Sequence, residues 1–193
     1  MDKYISNEDL NELPIKSFNG KIVIVDLASD VKKVLPYLIK QKVLGFDTET
    51  RPSFKKGVKN SVALLQLSTK DKAFLFRLNK MGLTPELTSI LANPAIIKVG
   101  VAISDDLKDL KRLKSFTPAA FVEIQEKVKE FEIENFGLKK LSGLLLGFRI
   151  SKAQQTSNWE AEKLTVAQIN YAATDAWVSM RIYNQLLKIE KNN

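Results

Sequence analysis

Val43-Leu44-Gly45-Phe46-Asp47-Thr48-Glu49 is an apolar run that ends in two carboxylates one residue apart. It reads as a buried strand with a chemically active end. Side chains alternate faces along a strand, so Asp47 and Glu49 project to the same side, a few ångströms from each other. Two anions so placed repel unless a cation sits between them, and hard divalent ions such as Mg²⁺ take oxygen ligands of this kind. A strand running out into a polar loop accounts for the stretch equally well, because Asp-x-Glu is short and common.

The rest of the composition narrows the chemistry. A chain of 193 residues, 45% hydrophobic and 27% charged, is expected to form one domain with a real core, residues 1–193, preceded by a polar lead-in over 1–20. No apolar run approaches the roughly 18 residues of a membrane helix. Met1 to Leu13 has acidic and polar residues where a signal peptide has a basic end and an apolar stretch, so a cytoplasmic location is the expectation. Cysteine is absent, which excludes disulfides and thiolate metal sites. Histidine is absent too, which removes Ser-His-Asp triads, histidine-ligated zinc and histidine bases. Any metal must be held by oxygen. Lys plus Arg outnumber Asp plus Glu by 30 to 22, a net charge of +8 that suits a polyanion, of which nucleic acid is the commonest.

Along the chain, Lys21 to Val25 reads as a short strand. Ser29 or Asp30 can cap a helix that carries Val31, Val34, Leu35 and Leu38, with Pro36 expected to weaken it. Arg51 to Asn60 is a loop in which Arg51, Lys55, Lys56 and Lys59 surround an aromatic directly after the carboxylate pair, where a phosphate could be gripped. Ser61 to Ser68 and Lys72 to Leu78 form a hairpin around Thr69-Lys70-Asp71. Thr84 caps a helix with Pro85 at its first position. Ile96 to Val101 is the next strand, and a helix follows from about Ser104 to Lys114. On that helix Asp105 shares a polar stripe with Lys108, Asp109 and Arg112, whereas Asp106 shares the margin of the buried side with Leu110 and Leu113. Pro118 to Glu123 is one more strand, Gly137 to Leu146 a short helix, and Thr165 caps a last helix to about Leu187, beyond which the chain should fray. Interleaved strands and helices with a central hairpin describe an α/β sandwich on a mixed sheet.

The last helix carries Tyr171 and Asp175, four residues apart and so on one face, followed there by Val178, Ile182 and Leu186. An ionised Asp within so apolar a face is costly unless it is paired or metal-bound. Asp47-x-Glu49 at a strand end, Asp106 at a helix start and Tyr171-x-x-x-Asp175 on a late helix together resemble the three exonuclease motifs of the DEDD superfamily, in its tyrosine subclass. Ser61-Val-Ala-Leu-Leu-Gln-Leu, Lys98-Val-Gly-Val, Ser157-Asn-Trp and Gln168-x-x-Tyr-Ala-Ala-Thr-Asp add to the likeness, which is to the exonuclease domain shared by ribonuclease D and the Werner syndrome protein, over about 21–187.

The resemblance implies a ribonuclease H-like fold, with a mixed five-stranded core sheet whose second strand is antiparallel. It implies hydrolysis of phosphodiester bonds at the 3′ end of DNA or RNA by a two-metal mechanism, with release of nucleoside 5′-monophosphates. Asp47, Glu49, Asp106 and Asp175 would then ligate two divalent ions, Mg²⁺ or Mn²⁺, and Tyr171 would orient the attacking water. Lys152 and Trp159 join Arg51, Lys55, Lys56 and Lys59 as candidate nucleic-acid contacts. One departure is that ribonuclease D proteins usually carry a basic residue just before a Pro-Leu ahead of the final helix, and here only Lys163 is left for that place. A catalytically silent nucleic-acid-binding module on the same scaffold is the rival reading; its hallmark would be a missing ligand. A carboxylate-pair hydrolase acting on sugars needs two acids and leaves Asp106, Tyr171 and Asp175 without a part.

Overall fold

The computed structural model describes residues 2–53, 57 and 59–192. In chain order the elements are α1 (Asn7–Glu12), β1 (Lys21–Val25), α2 (Ala28–Leu38), β2 (Val43–Thr50), β3 (Val62–Ser68), β4 (Lys72–Arg77), α3 (Leu78–Met81), α4 (Pro85–Leu91), β5 (Ile97–Gly100), α5 (Ile103–Leu113), β6 (Phe121–Glu123), α6 (Ile124–Lys129), α7 (Leu138–Leu146) and α8 (Val166–Asn192). The strands form one mixed sheet in the order β1-β4-β3-β2-β5-β6, in which β3 alone runs antiparallel to its neighbours. Five of them, β2 to β6, make the expected mixed core with an antiparallel second strand. The sheet is one strand larger than expected, because β1 adds itself in parallel to the free edge of β4.

Helices cover both faces. Leu64, Val99, Ala172, Ala173 and Val178 belong to a core under α6, α7 and α8, while Leu44, Phe46, Leu65, Leu67, Leu87 and Leu110 belong to a second core under α2, α4 and α5. A central strand covered twice must be apolar on both faces, and every residue of β3 is buried. Among the described residues no helix is long and apolar enough to cross a membrane.

Three local expectations change. The α2 helix starts at Ala28 with Leu27 as its cap, which leaves Ser29 and Asp30 inside the first turn. Pro36 is tolerated within it because both Pro36 and Lys32 are exposed, so water can satisfy the carbonyl that the proline cannot. The α8 helix does not fray at Lys188 but continues to Asn192, held by packing of Ile189 and by an ion pair of Glu190 with Lys127 on α6 (3.1 Å). Its start is a reciprocal cap: the Thr165 hydroxyl accepts from the Gln168 N–H (3.2 Å), and the Gln168 side chain accepts from the Thr165 N–H (3.0 Å).

Gly45 sets how closely α8 lies on β2. A Cβ at this position would fall 1.8 Å from the Ala176 carbonyl oxygen and 2.6 Å from the Ser68 hydroxyl. Gly45→Ala must therefore lift the helix from the strand. Overpacking of this kind costs about 1–3 kcal/mol, and backbone on the other side of the clash puts the cost at the upper end. Urea denaturation should show that loss together with a drop in activity; unchanged stability would contradict the close packing.

Candidate active site

Asp47 and Glu49 leave β2 on the face that meets α8, as the alternation of a strand requires. The register with β3 shifts between Glu49 and Thr50, a bulge at the point where the strand ends. Opposite them α8 presents Tyr171 and Asp175, one turn apart. Carboxylate oxygens of Asp47, Glu49 and Asp175 all lie within 4.8 Å of one another. They open onto a pocket of about 240 Å³ that Tyr171, Lys152 and Gln155 also line.

Three like charges this close are costly, and the acidities record it. Burial first, then the charges of Asp175 and Asp106, hold Asp47 well above the usual carboxylate range. Burial followed by Asp47, Asp175 and Asp106 pushes Glu49 up to about 10. Asp175 is raised to about 7 by burial, an effect that the nearby Tyr171 hydroxyl and the Lys152 ammonium partly offset. Burial and the neighbouring carboxylates raise the Tyr171 phenol further above its already high value, so it stays protonated. Asp175 Oδ1 is buried without a hydrogen-bond partner among the described residues. An all-oxygen donor set with surplus negative charge and an unpartnered buried oxygen fits a hard divalent cation.

Asp106 comes from the other side of the sheet. Thr48, which alternation turns away from Asp47, donates its hydroxyl hydrogen bond to Asp106 Oδ1. Asp106 therefore stands outside the three-carboxylate cluster yet near enough to raise both Asp47 and Glu49. Its own carboxyl is pushed up to about 6, chiefly by burial. Asp105 points outward to Lys108 at 2.8 Å. The start of α5 is fixed by Glu123, whose two carboxylate oxygens accept from the N–H groups of Ala102 (2.9 Å) and Ile103 (2.7 Å), with Ala102 left-handed at φ 60°.

Glu123 and Thr48 escaped the sequence reading, and so did Gln66. This fully buried side chain pairs across the strands with Asp47, and neither of its amide atoms has a hydrogen-bond partner among the described residues. A lone glutamine inside the apolar run of β3 was the available signal.

The candidate nucleic-acid contacts divide. Lys152 lines the pocket. Arg51 is paired with Glu160 (3.3 Å) and Lys59 with Asp109 (2.8 Å). Lys55 and Lys56 lie outside the described residues. Trp159 is corrected: it is fully buried, with its ring 6.0 Å from that of Tyr171, so it backs the tyrosine and has no free face for a base. Lys163 is exposed in the turn before α8 and does not line the pocket.

A family model described as 3′-5′ exonuclease matches residues 22–190. The chain is 34% identical over 186 residues to the bifunctional 3′-5′ exonuclease/ATP-dependent helicase WRN of Mus musculus, an alignment that covers 91% of this chain and 13% of that protein. It is 36% identical over 151 residues to the exonuclease 3′-5′ domain-containing protein 2 of Drosophila melanogaster, covering 76% and 26%. The chain thus spans about an eighth and a quarter of these relatives' lengths. Among solved structures, the Aedes aegypti Nibbler EXO domain superposes with a TM-score of 0.82 at 24% identity, over 92% of this chain and 93% of that one. Escherichia coli RNase D gives 0.78 at 20% identity, over 89% and 46%.

Proposed function

The chain belongs to the 3′-5′ exonuclease family, and on that premise we propose that it hydrolyses phosphodiester bonds at the 3′ end of nucleic acid with divalent metal ions. The observation that carries the proposal is the convergence of Asp47, Glu49 and Asp175 from two separate elements, beside a tyrosine that stays protonated.

In this reading Asp47, Glu49 and Asp175 would hold a divalent ion, and Asp106, across the strand end, would be the fourth ligand of the pair of ions. Mg²⁺ or Mn²⁺ in such a site acts as a Lewis acid and lowers the pKa of bound water. The chain's own groups do the positioning. Tyr171, too weak an acid to ionise here, hydrogen-bonds the attacking water and fixes its direction. Lys152, beside Asp175, offers its ammonium to the phosphate. Water attacks phosphorus, the bond to the 3′ oxygen of the preceding nucleotide breaks, and a nucleoside 5′-monophosphate leaves a new 3′ hydroxyl. A silent binding module would carry the repulsion among these carboxylates with no return, so the enzymatic reading is favoured.

Matched DNA and RNA oligonucleotides, single-stranded and duplex, labelled at the 5′ end and incubated with Mg²⁺, Mn²⁺ or chelator, test it. Stepwise shortening from the 3′ end that chelator stops, with monophosphate products, is expected. Internal cutting, or shortening that survives chelation, would overturn the proposal.

Metal should also show in stability. The unfolded chain protonates Asp106 and Asp175 near 3.8, while the folded chain does so near 6 and 7. The folded state binds more protons in between, so this contribution is fully present below about pH 4 and is lost as pH rises through 6 to 7. In chelator, Tm should fall over that window. The rise in Tm caused by Mg²⁺ or Mn²⁺ should be small at pH 5 and large at pH 8, since a cation binds the ionised cluster. A Tm indifferent to both ions at pH 8 would count against the site.

A further inference from the structure

A second hollow of cationic character lies along α8, away from the carboxylates. Thr174, Trp177, Arg181, Asn184 and Lys188 recur every three or four residues and so form one stripe of the helix, beside the face that carries Tyr171 and Asp175. Beside Tyr171 this stripe borders a pocket of about 210 Å³ that shares Ser151 and Tyr171 with the carboxylate pocket and includes Lys16. Further along it borders a larger one, about 520 Å³, enclosed by Trp177, Arg181, Asn184 and Lys188 with Asn19 and with Lys70 of the β3–β4 turn.

The larger hollow is built for anions. Lys70, Arg181 and Lys188, which meet at this one hollow, are all free of ion pairs among the described residues. Among the described residues no acidic side chain lines it. The one carboxylate next in sequence, Asp71, is turned away to the hydroxyls of Tyr37 and Thr69, both at 3.1 Å. Glu190 is turned away to Lys127. The Arg181 guanidinium is pre-placed, 5.1 Å over the Trp177 ring, and Asn19 and Asn184 add amide donors. At a rise of about 1.5 Å per residue, Arg181 stands about 15 Å and Lys188 about 26 Å along the helix from Tyr171.

We propose that this hollow binds the phosphodiester backbone of the single strand whose 3′ end reaches the carboxylates, so that α8 carries both the reacting end of the strand and an upstream grip on it. The inference rests on the exonuclease reading. Contacts of this kind are sequence-independent and are lost with salt, at a slope of about 0.7 per phosphate neutralised on single strands.

The test is a triple substitution, Lys70→Gln, Arg181→Gln and Lys188→Gln, none of which touches the reacting atoms. Binding of a 5′-labelled single strand of about 12 nucleotides is measured in chelator over a range of salt, and turnover of a dinucleotide is measured with Mn²⁺. The triple variant should bind the strand about 10-fold or more weakly, with a salt slope lower by about 2, and should turn the dinucleotide over at the wild-type rate. A Lys70→Arg, Arg181→Lys, Lys188→Arg variant should retain both affinity and slope. Unchanged affinity and slope in the neutral variant would overturn the site and leave the exonuclease reading intact. If the wild type instead grips the strand with this cation dependence yet never shortens it in Mg²⁺ or Mn²⁺, the site stands and the reading of the carboxylates falls.

Discussion

Asp47→Ala should abolish metal-dependent shortening of a 3′ end and leave the fold intact. In the proposed metal site Asp47 would be the carboxylate shared by both ions, so its loss would remove a ligand from each. Stabilisation by such ions is worth several kcal/mol at the transition state, which corresponds to about three powers of ten or more in kcat. The variant should nonetheless melt at or above the wild-type temperature in chelator at pH 8. Of the three carboxylates within 4.8 Å, it has lost one, and with it the charge that raises Glu49 and is itself raised by Asp175. Its Tm should also lose most of the rise that Mn²⁺ gives the wild type. Nuclease assays and melting curves on the same preparation decide the matter: full activity sinks the catalytic assignment, and a lowered Tm in chelator sinks the account of repulsion.

Asp106→Asn should cost about 10²-fold or more in kcat, whereas the neighbouring Asp105→Asn should cost almost nothing. The asparagine keeps an oxygen that can accept from Thr48, so α5 stays where it is while the charge facing Asp47 disappears. Asp105 loses only an exposed pair with Lys108, which solvent screens. Steady-state rates of the two variants on one labelled strand separate them. The opposite ranking would mean that the ligand from α5 is Asp105.

Which of these adjacent aspartates turns inward was legible in the sequence, because helical spacing alone sets which face each occupies. The same holds for Asp47 with Glu49, fixed by a period of two, and for Tyr171 with Asp175, fixed by one helical turn. What escaped is what depends on distant packing. Trp159 stands in a polar, aperiodic stretch, and only the docking of that stretch against Tyr171 buries its ring. Glu123 caps α5 from a different strand, so no local signal marks it. The place of β1 beside β4 is a pairing between segments far apart in the chain, which periodicity does not encode. Pro36 and the end of α8 were misjudged for a related reason: a local breaker or a terminus weakens a helix only where solvent or packing does not make up the difference.

Gly45 has a consequence for how the protein comes to life during folding. The two halves of the carboxylate cluster sit near opposite ends of the sequence, and they meet only when the Ala176 carbonyl settles into the space that the missing Cβ leaves. A collapsed chain with its sheet paired and α8 still undocked would hold Asp47 and Glu49 without Asp175. Such a form would be inert toward nucleic acid however much secondary structure it contained. Regain of nuclease activity during refolding would therefore report the seating of the last helix, later than circular dichroism reports the sheet.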